Sequence, residues 1–266
     1  MAFIPLYDGT PLRYIGRPWV TWSLIAINVA IFFLVERGGI HGADRASVVD
    51  YGLIPALLEN KLQRPSDLVD IPNWLTLGTH AFLHGDLWHL GGNMIFLWVF
   101  ADNIEDSLGH VRFLLFYFLC AIAGGYAYVL SDTASLAPLI GASGAIAGIV
   151  AAYFILYPYA KVWILAFGRI PLHLNAVWVL GFWILFQVYA VVGGSGDSEV
   201  AWWTHLGGLV TGAVLVPILR RPGVKLFSRP EPVLPGLQTM RLPPMLPAPP
   251  LRPEAEPSVD GPWSRR

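Results

Sequence analysis

The chain has 266 residues, of which 55% are hydrophobic and only 13% charged, and its mean hydropathy is +0.55. A soluble domain carries roughly 25% charged residues, so this composition excludes an ordinary soluble globule and predicts a polytopic membrane protein. The formal net charge of −1 argues against a nucleic-acid partner, and the single cysteine, Cys120, lies in an apolar run and reads as a small packing residue.

Residues 1–18 form a short polar tail containing Arg13 and Arg17. No small-residue cleavage site follows, so the first apolar segment is expected to be retained and not removed as a signal peptide. Six apolar segments then appear, at about Trp19–Val35, Leu87–Ala101, Phe113–Leu130, Ala142–Tyr157, Ala176–Val192 and Ala201–Leu219. The expected fold is all-α: a bundle of six transmembrane helices over residues 19–220 with a long first outer loop. Several segments are shorter than the roughly 20 residues of a straight lipid-facing span. Segments 2 and 4 begin with polar or Gly-rich residues, a pattern tolerated where a span lines a protein-buried cavity.

The first loop, from Glu36 to about Asp86, contains Pro55, Pro65 and Pro72 among apolar groups such as Leu53-Ile54-Pro55-Ala56 and Trp74-Leu75. It is too apolar for a disordered linker and is expected to form short interfacial helices. Its Arg37, Arg45, Lys61 and Arg64 weigh little on orientation because the loop is long. Arg112, then Lys161 and Arg169, then Arg220, Arg221, Lys225 and Arg229 mark the cytoplasmic side, whereas Ser131–Ser135 and Gly193–Glu199 carry no Lys or Arg. Both termini therefore read as cytoplasmic, and segments 2, 4 and 6 each start on the outer side. Residues 221–266 are dense in proline, from Pro222 to Pro262, and read as a disordered, partly polyproline II cytoplasmic tail.

The polar residues fall at the starts of those three segments. His84, His89 and Asn93 open segment 2, and His89 and Asn93, four apart, share a helix face. Ser143 opens segment 4 inside Gly141-Ala142-Ser143-Gly144, and His205 lies near the start of segment 6. Topology alone puts Ser143, His205, His89 and Asn93 at similar depth. The pairs Gly144/Gly148 and Gly208/Gly212 are small-xxx-small faces that let helices 4 and 6 approach closely. A serine needs a base to become a nucleophile, and His205 is the candidate. No Asp or Glu sits near it at that depth, so a Ser-His pair is expected and not a three-member triad. Asn93, His89 and the backbone N–H of Ser143 are candidate oxyanion donors. Asn28, Gln187 and Trp98 read as packing or interface residues. His80 and His84 are spaced i, i+4, but the His-Glu-x-x-His pattern is absent, so no metal is expected. His84 reads as a hydrogen bonder tying the loop to segment 2.

In this order and on these segments, His84-x4-His89-x3-Asn93, Gly141-x-Ser143-Gly144 and His205-x2-Gly208-x3-Gly212 resemble the rhomboid intramembrane serine proteases. The resemblance covers about Trp19 to Leu219. It implies a six-helix fold around a water-filled, outward-open site, with Ser143 as nucleophile, His205 as general base and His89 and Asn93 as oxyanion partners. It implies membrane-anchored protein substrates, cut near their outer end by way of an acyl-enzyme, and no cofactor. The first loop would be the family's membrane-embedded loop, and Gly193–Glu199 its mobile cap. The Trp-Arg dipeptide of many members is not evident in the first loop, and no extra soluble domain or seventh span is read, which points to the basic minimal form; a bacterial plasma membrane is expected because no transit peptide is read and the chain is compact. Two rival functions are a non-catalytic binder of membrane helices, disfavoured because both Ser143 and His205 are present, and a small transporter. The transporter reading needs a polar path onward through segments 4 and 6, which become apolar instead.

Overall fold

The computed structural model describes residues 3–36, 44–63, 71–193 and 201–229. Expectations that rest on Arg37, the Arg45 side chain, Arg64, Pro65, the loop 194–200 and the tail from Pro230 lie outside the described residues. All the described helices and strands lie within the compact unit Met1–Pro230.

Strand β1 (Phe3–Asp8) precedes helix α1 (Trp19–Ile31), which continues as a π-helical turn over Phe32–Glu36. The long connection holds short helices α2 (Asp44–Tyr51), α3 (Pro55–Leu58) and α4 (Thr76–Thr79), with 3-10 turns at Asn73–Leu75 and His80–Phe82. Then come α5 (Leu87–Phe96), a π-helical turn at Leu97–Ala101, α6 (Asp102–Leu108), α7 (His110–Ser131) and α8 (Ser143–Leu156). Strands β2 (Lys161–Ala166) and β3 (Ile170–Asn175) lead into α9 (Ala176–Val192), and α10 (Trp202–Leu219) closes the bundle. Trp19–Glu36, His110–Ser131 and Trp202–Leu219 are long and apolar enough to cross a membrane, while the apolar helices α8 and α9 are shorter.

The centre of the bundle is α7, α8 and α10, packed through small residues. A Cβ on Gly208 would fall 1.9 Å from the carbonyl oxygen of Gly144, and one on Gly212 would fall 2.3 Å from that of Gly148. These two helices meet backbone to backbone, which only glycine permits. On α7, Cys120 is buried with its sulfur where a Gly148 side chain would be, and Gly124 lies against Thr204 of α10.

The expectation of an all-α fold is corrected by a three-stranded antiparallel sheet in the order β1-β2-β3. Phe3 pairs with Ala166 and Asp8 with Val162, and Lys161–Ala166 pairs with Ile170–Asn175. The stretch from Lys161 to Arg169, a loop by its sequence, is largely a hairpin. Val162, Ile164 and Ala166 are buried and alternate along β2, but the residues between them are mostly apolar too, so the period of two is masked in the sequence.

At the end of the bundle opposite Ser143, α6 gathers several chain segments. The fully buried carboxylate of Glu105 accepts the N–H groups of Val20 and Thr21 and the Thr21 hydroxyl, capping α1, and also contacts His110. Asp106 accepts the N–H groups of Arg13, Tyr14 and Ile15. Arg221 N–H donates to Ser107, while Phe227 and Ser228 N–H donate to Ile155 and Leu156. The packed body therefore continues past residue 220, the point at which the composition turns proline-rich.

Candidate functional site

Ser143 is the first residue of α8, and Ala142 before it offers no capping side chain. The N–H groups of that first turn have no intrahelical acceptor and sit at the positive end of the helix dipole. The entry into α8 is held by an antiparallel bridge between Leu53 and Leu139 and by Gly141 N–H donating to the His80 carbonyl at 2.9 Å. Gly141 has φ +117°, and a Cβ there would lie 2.6 Å from His89 Nε2. Both the backbone conformation and the space demand glycine.

His205 lies in the first turn of α10, with its ring between Trp183 and Trp202 at centroid distances of 5.9 and 6.1 Å. Its Nδ1 is 2.8 Å from Gln187 Oε1 on α9. An amide oxygen only accepts, so Nδ1 carries the proton and Nε2 keeps a free lone pair. That is the tautomer a general base needs. Gln187 is only 2% exposed, so this bond is shielded from water.

Ser143, His205, Asn93 and Gln187 line one cavity of about 400 Å³, together with Gly92, Trp202, Ile146, Phe96, Phe182, Trp183, Phe186 and Phe3. Asn93 uses one amide hydrogen on the His89 carbonyl at 3.0 Å, which leaves the second. Among the described residues no hydrogen bond joins Ser143 to His205; in substrate-free sites such bonds are often long and tighten only when substrate is engaged.

His89 is not among the residues lining this cavity. Its ring packs behind the Gly141 turn and against His84, with ring centroids 5.1 Å apart. The helix start that carries it is capped by Asp86, which accepts the N–H groups of Trp88 and His89. His84 hydrogen-bonds not to segment 2 but, from its backbone N–H, to the carboxylate of Glu36, at the end of the π-helical turn after α1. Its ring nitrogens have no hydrogen-bond partner among the described residues. Burial, reinforced by His89, lowers its pKa to about 3, so it stays neutral near pH 7. Gly144, Gly208 and Gly212 sit in the α8–α10 contact, where they set the helix separation.

Two contributors are missed by sequence reasoning. Gln187 reads as packing, although a lone amide inside an apolar helix demands a partner, and that demand is the available signal. Phe3 enters the cavity from β1, and nothing in an apparent N-terminal tail announces it.

The family model for the rhomboid domain matches residues 72–222, which is more than half of the chain. Rhomboid protein 1, mitochondrial, of Saccharomyces cerevisiae is 32% identical over 143 residues, covering 50% of this chain and 38% of that protein. Rhomboid protease GluP of Bacillus subtilis is 28% identical over 215 residues, covering 80% of this chain and 37% of that protein. RHOMBOID-like protein 12, mitochondrial, of Arabidopsis thaliana is 29% identical over 163 residues, covering 55% and 46%. The matched region thus spans less than half the length of each of these relatives. With the match running from the turn before α4 to the end of α10, and with most of the cavity built inside it, the chain belongs to the rhomboid family.

Proposed function

We propose that the protein is an intramembrane serine endopeptidase that cuts membrane-anchored substrates through an acyl-enzyme on Ser143. The observation that carries the reading is one cavity lined by Ser143 and His205, in which Gln187 holds His205 Nδ1 and so leaves Nε2 free. In the reaction, Nε2 takes the Ser143 proton as Oγ attacks the substrate carbonyl, then gives it to the leaving amine; water attacks the acyl-enzyme by the same route. The Ser143 N–H and the free hydrogen of Asn93 are the oxyanion donors. His89 braces the Gly141 turn behind them. Family membership and the name of the Bacillus relative support this chemistry.

The companion reading is a six-span bundle of α1, α5 with the π-helical turn after it, α7, α8, α9 and α10, with Ser143 toward the outer face and both termini cytoplasmic. A helical peptide bond is shielded by its own hydrogen bond, so substrates are expected to carry small or helix-destabilising residues at the cut. The expectation of a bacterial plasma membrane has no support over a mitochondrial one, because two of the three relatives are named as mitochondrial.

The test is cleavage of a membrane-anchored reporter by purified protein in proteoliposomes. Ser143→Ala and His205→Ala are each expected to lower turnover about a thousandfold or more. Cleavage by Ser143→Ala at the wild-type rate would sink the protease reading.

A further inference from the structure

We propose that Phe3 is a specificity-determining residue: carried on β1, it forms the inner wall of the cavity and limits the size of the apolar substrate side chain that fits there. The inference rests on reading Ser143 as the acyl-transfer nucleophile. Its basis is placement. Asn93, Ser143 and His205 all lie within the first two turns of α5, α8 and α10, so they mark one end of the cavity. One turn further along α5 and α8 lie Phe96 and Ile146, and further back along α9 from Gln187 lies Trp183. The Phe3 ring packs on Phe96 with centroids 6.1 Å apart and is itself 7% exposed. The end remote from Ser143 is therefore apolar and aromatic, and one of its walls comes from outside the helices.

That wall is fixed in place. Phe3 pairs with Ala166 of β2. At the other end of the strand, Asp8 accepts the Tyr153 hydroxyl and the Asn103 amide. A short strand pinned at both ends holds its first side chain at a set depth beside α5. Phe3 also lies outside residues 72–222, the part matched by the family model, so the wall is supplied by this chain's own N-terminal segment.

An extended substrate at Ser143 alternates its side chains, and the one pointing inward meets this apolar end. An apolar pocket separates side chains by size at about tenfold or more per methylene-scale step. No polar group on Phe3, Phe96, Ile146 or Trp183 offers a hydrogen bond except the Trp183 indole, so the pocket takes an aliphatic or aromatic side chain.

The experiment uses the full chain in proteoliposomes and reporters carrying Ala, Leu, Phe or Trp in turn at each position near the cut. Phe3→Ala is expected to raise kcat/KM for the bulkiest tolerated side chain relative to Ala by about tenfold at one position, and Phe3→Trp to lower it by a similar factor. Phe3→Leu, which disturbs packing less, is expected to lie between. Variants that scale every reporter equally would overturn the proposal. A second arm needs no turnover: in Ser143→Ala protein, calorimetry reads the affinity of acetylated tetrapeptides bearing Ala, Leu or Phe. If wild type cleaves nothing, the protease reading fails, and this arm still decides Phe3. A size ranking shifted by Phe3→Ala supports the wall, and an unchanged ranking overturns it.

Discussion

At the scale of single residues, the feature that most constrains the chemistry is the contact between Gln187 and His205. It couples α9 to α10 through one hydrogen bond at 2.8 Å between two buried groups. Losing the acceptor frees the imidazole to rotate between Trp183 and Trp202 or to take the other tautomer, in which Nε2 is protonated and cannot act as base. Gln187→Leu is therefore expected to lower kcat about ten- to a hundredfold with little change in KM, which corresponds to roughly 1.4–2.7 kcal/mol of barrier. Gln187→Glu keeps an acceptor and is expected to restore much of kcat, with the acid limb of the pH–rate profile moved to higher pH because a carboxylate favours the imidazolium. Equal losses in both variants would show that Gln187 only packs. That Ser143, His205 and Asn93 line one cavity is legible in the sequence because each is a polar residue near the start of an apolar segment, and the alternation of segments puts those starts at one depth. Gln187 obeys the same rule, but it lies eleven residues into α9, a helix that starts from the other end, so placing it at that depth takes α9's length as well as its direction.

At the scale of elements, the glycine contact between α8 and α10 sets where Ser143 and His205 stand relative to each other. Gly208 is one turn beyond His205, and its missing Cβ lies against the Gly144 carbonyl, next to Ser143. A methyl group there must push the helices apart, because the obstacle is backbone and not a mobile side chain. Gly208→Ala is expected to cost on the order of 1–3 kcal/mol or more in stability and to lower turnover by a larger factor than stability alone explains. Gly91→Ala is the matched control, since nothing lies within 4 Å of a Cβ at that helical position; it is expected to leave melting unchanged or raise it slightly. Thermal unfolding in detergent alongside reporter cleavage separates the two. The spacing of Gly144/Gly148 and Gly208/Gly212 makes a close approach readable from sequence. The sheet is not readable: β1 and β2 become strands by pairing across a separation of more than 150 residues, and nothing local to either distinguishes an apolar strand from an apolar loop.

At the scale of the whole molecule, the end opposite Ser143 is held by buried acids, among them Asp8, Glu105 and Asp106. Asp8, on the strand that carries Phe3, is 6% exposed and close to Asp102 on α6; the Asn103 amide donates to both carboxylates. Burial raises the pKa of Asp8 to about 6, and burial, then the neighbouring Asp8, raises that of Asp102 to about 7. In the unfolded chain both titrate near 4. Between about pH 4 and pH 7 the folded state therefore binds more protons than the unfolded state, so stability falls as pH rises through that window and levels off above it. For Asp8 alone the change is on the order of 2–3 kcal/mol, since a tenfold change in an ionisation constant is worth about 1.4 kcal/mol. Asp8→Asn keeps an oxygen to accept the Tyr153 hydroxyl and the Asn103 amide but cannot ionise. It also removes the charge that raises Asp102. The expected result is a melting temperature in detergent that declines from pH 5 to pH 8 in wild type and declines much less in Asp8→Asn, with the two closest at the acid end. Parallel profiles would mean that the carboxyl of Asp8 does not ionise at a cost within the fold. Because β1 joins this acid pair to the cavity wall, the same profile is expected in reporter selectivity. As pH rises and the neighbouring carboxylates of Asp8 and Asp102 both charge, their repulsion loosens β1 against α6, and wild type should drift toward the broader side-chain tolerance of Phe3→Ala while Asp8→Asn does not.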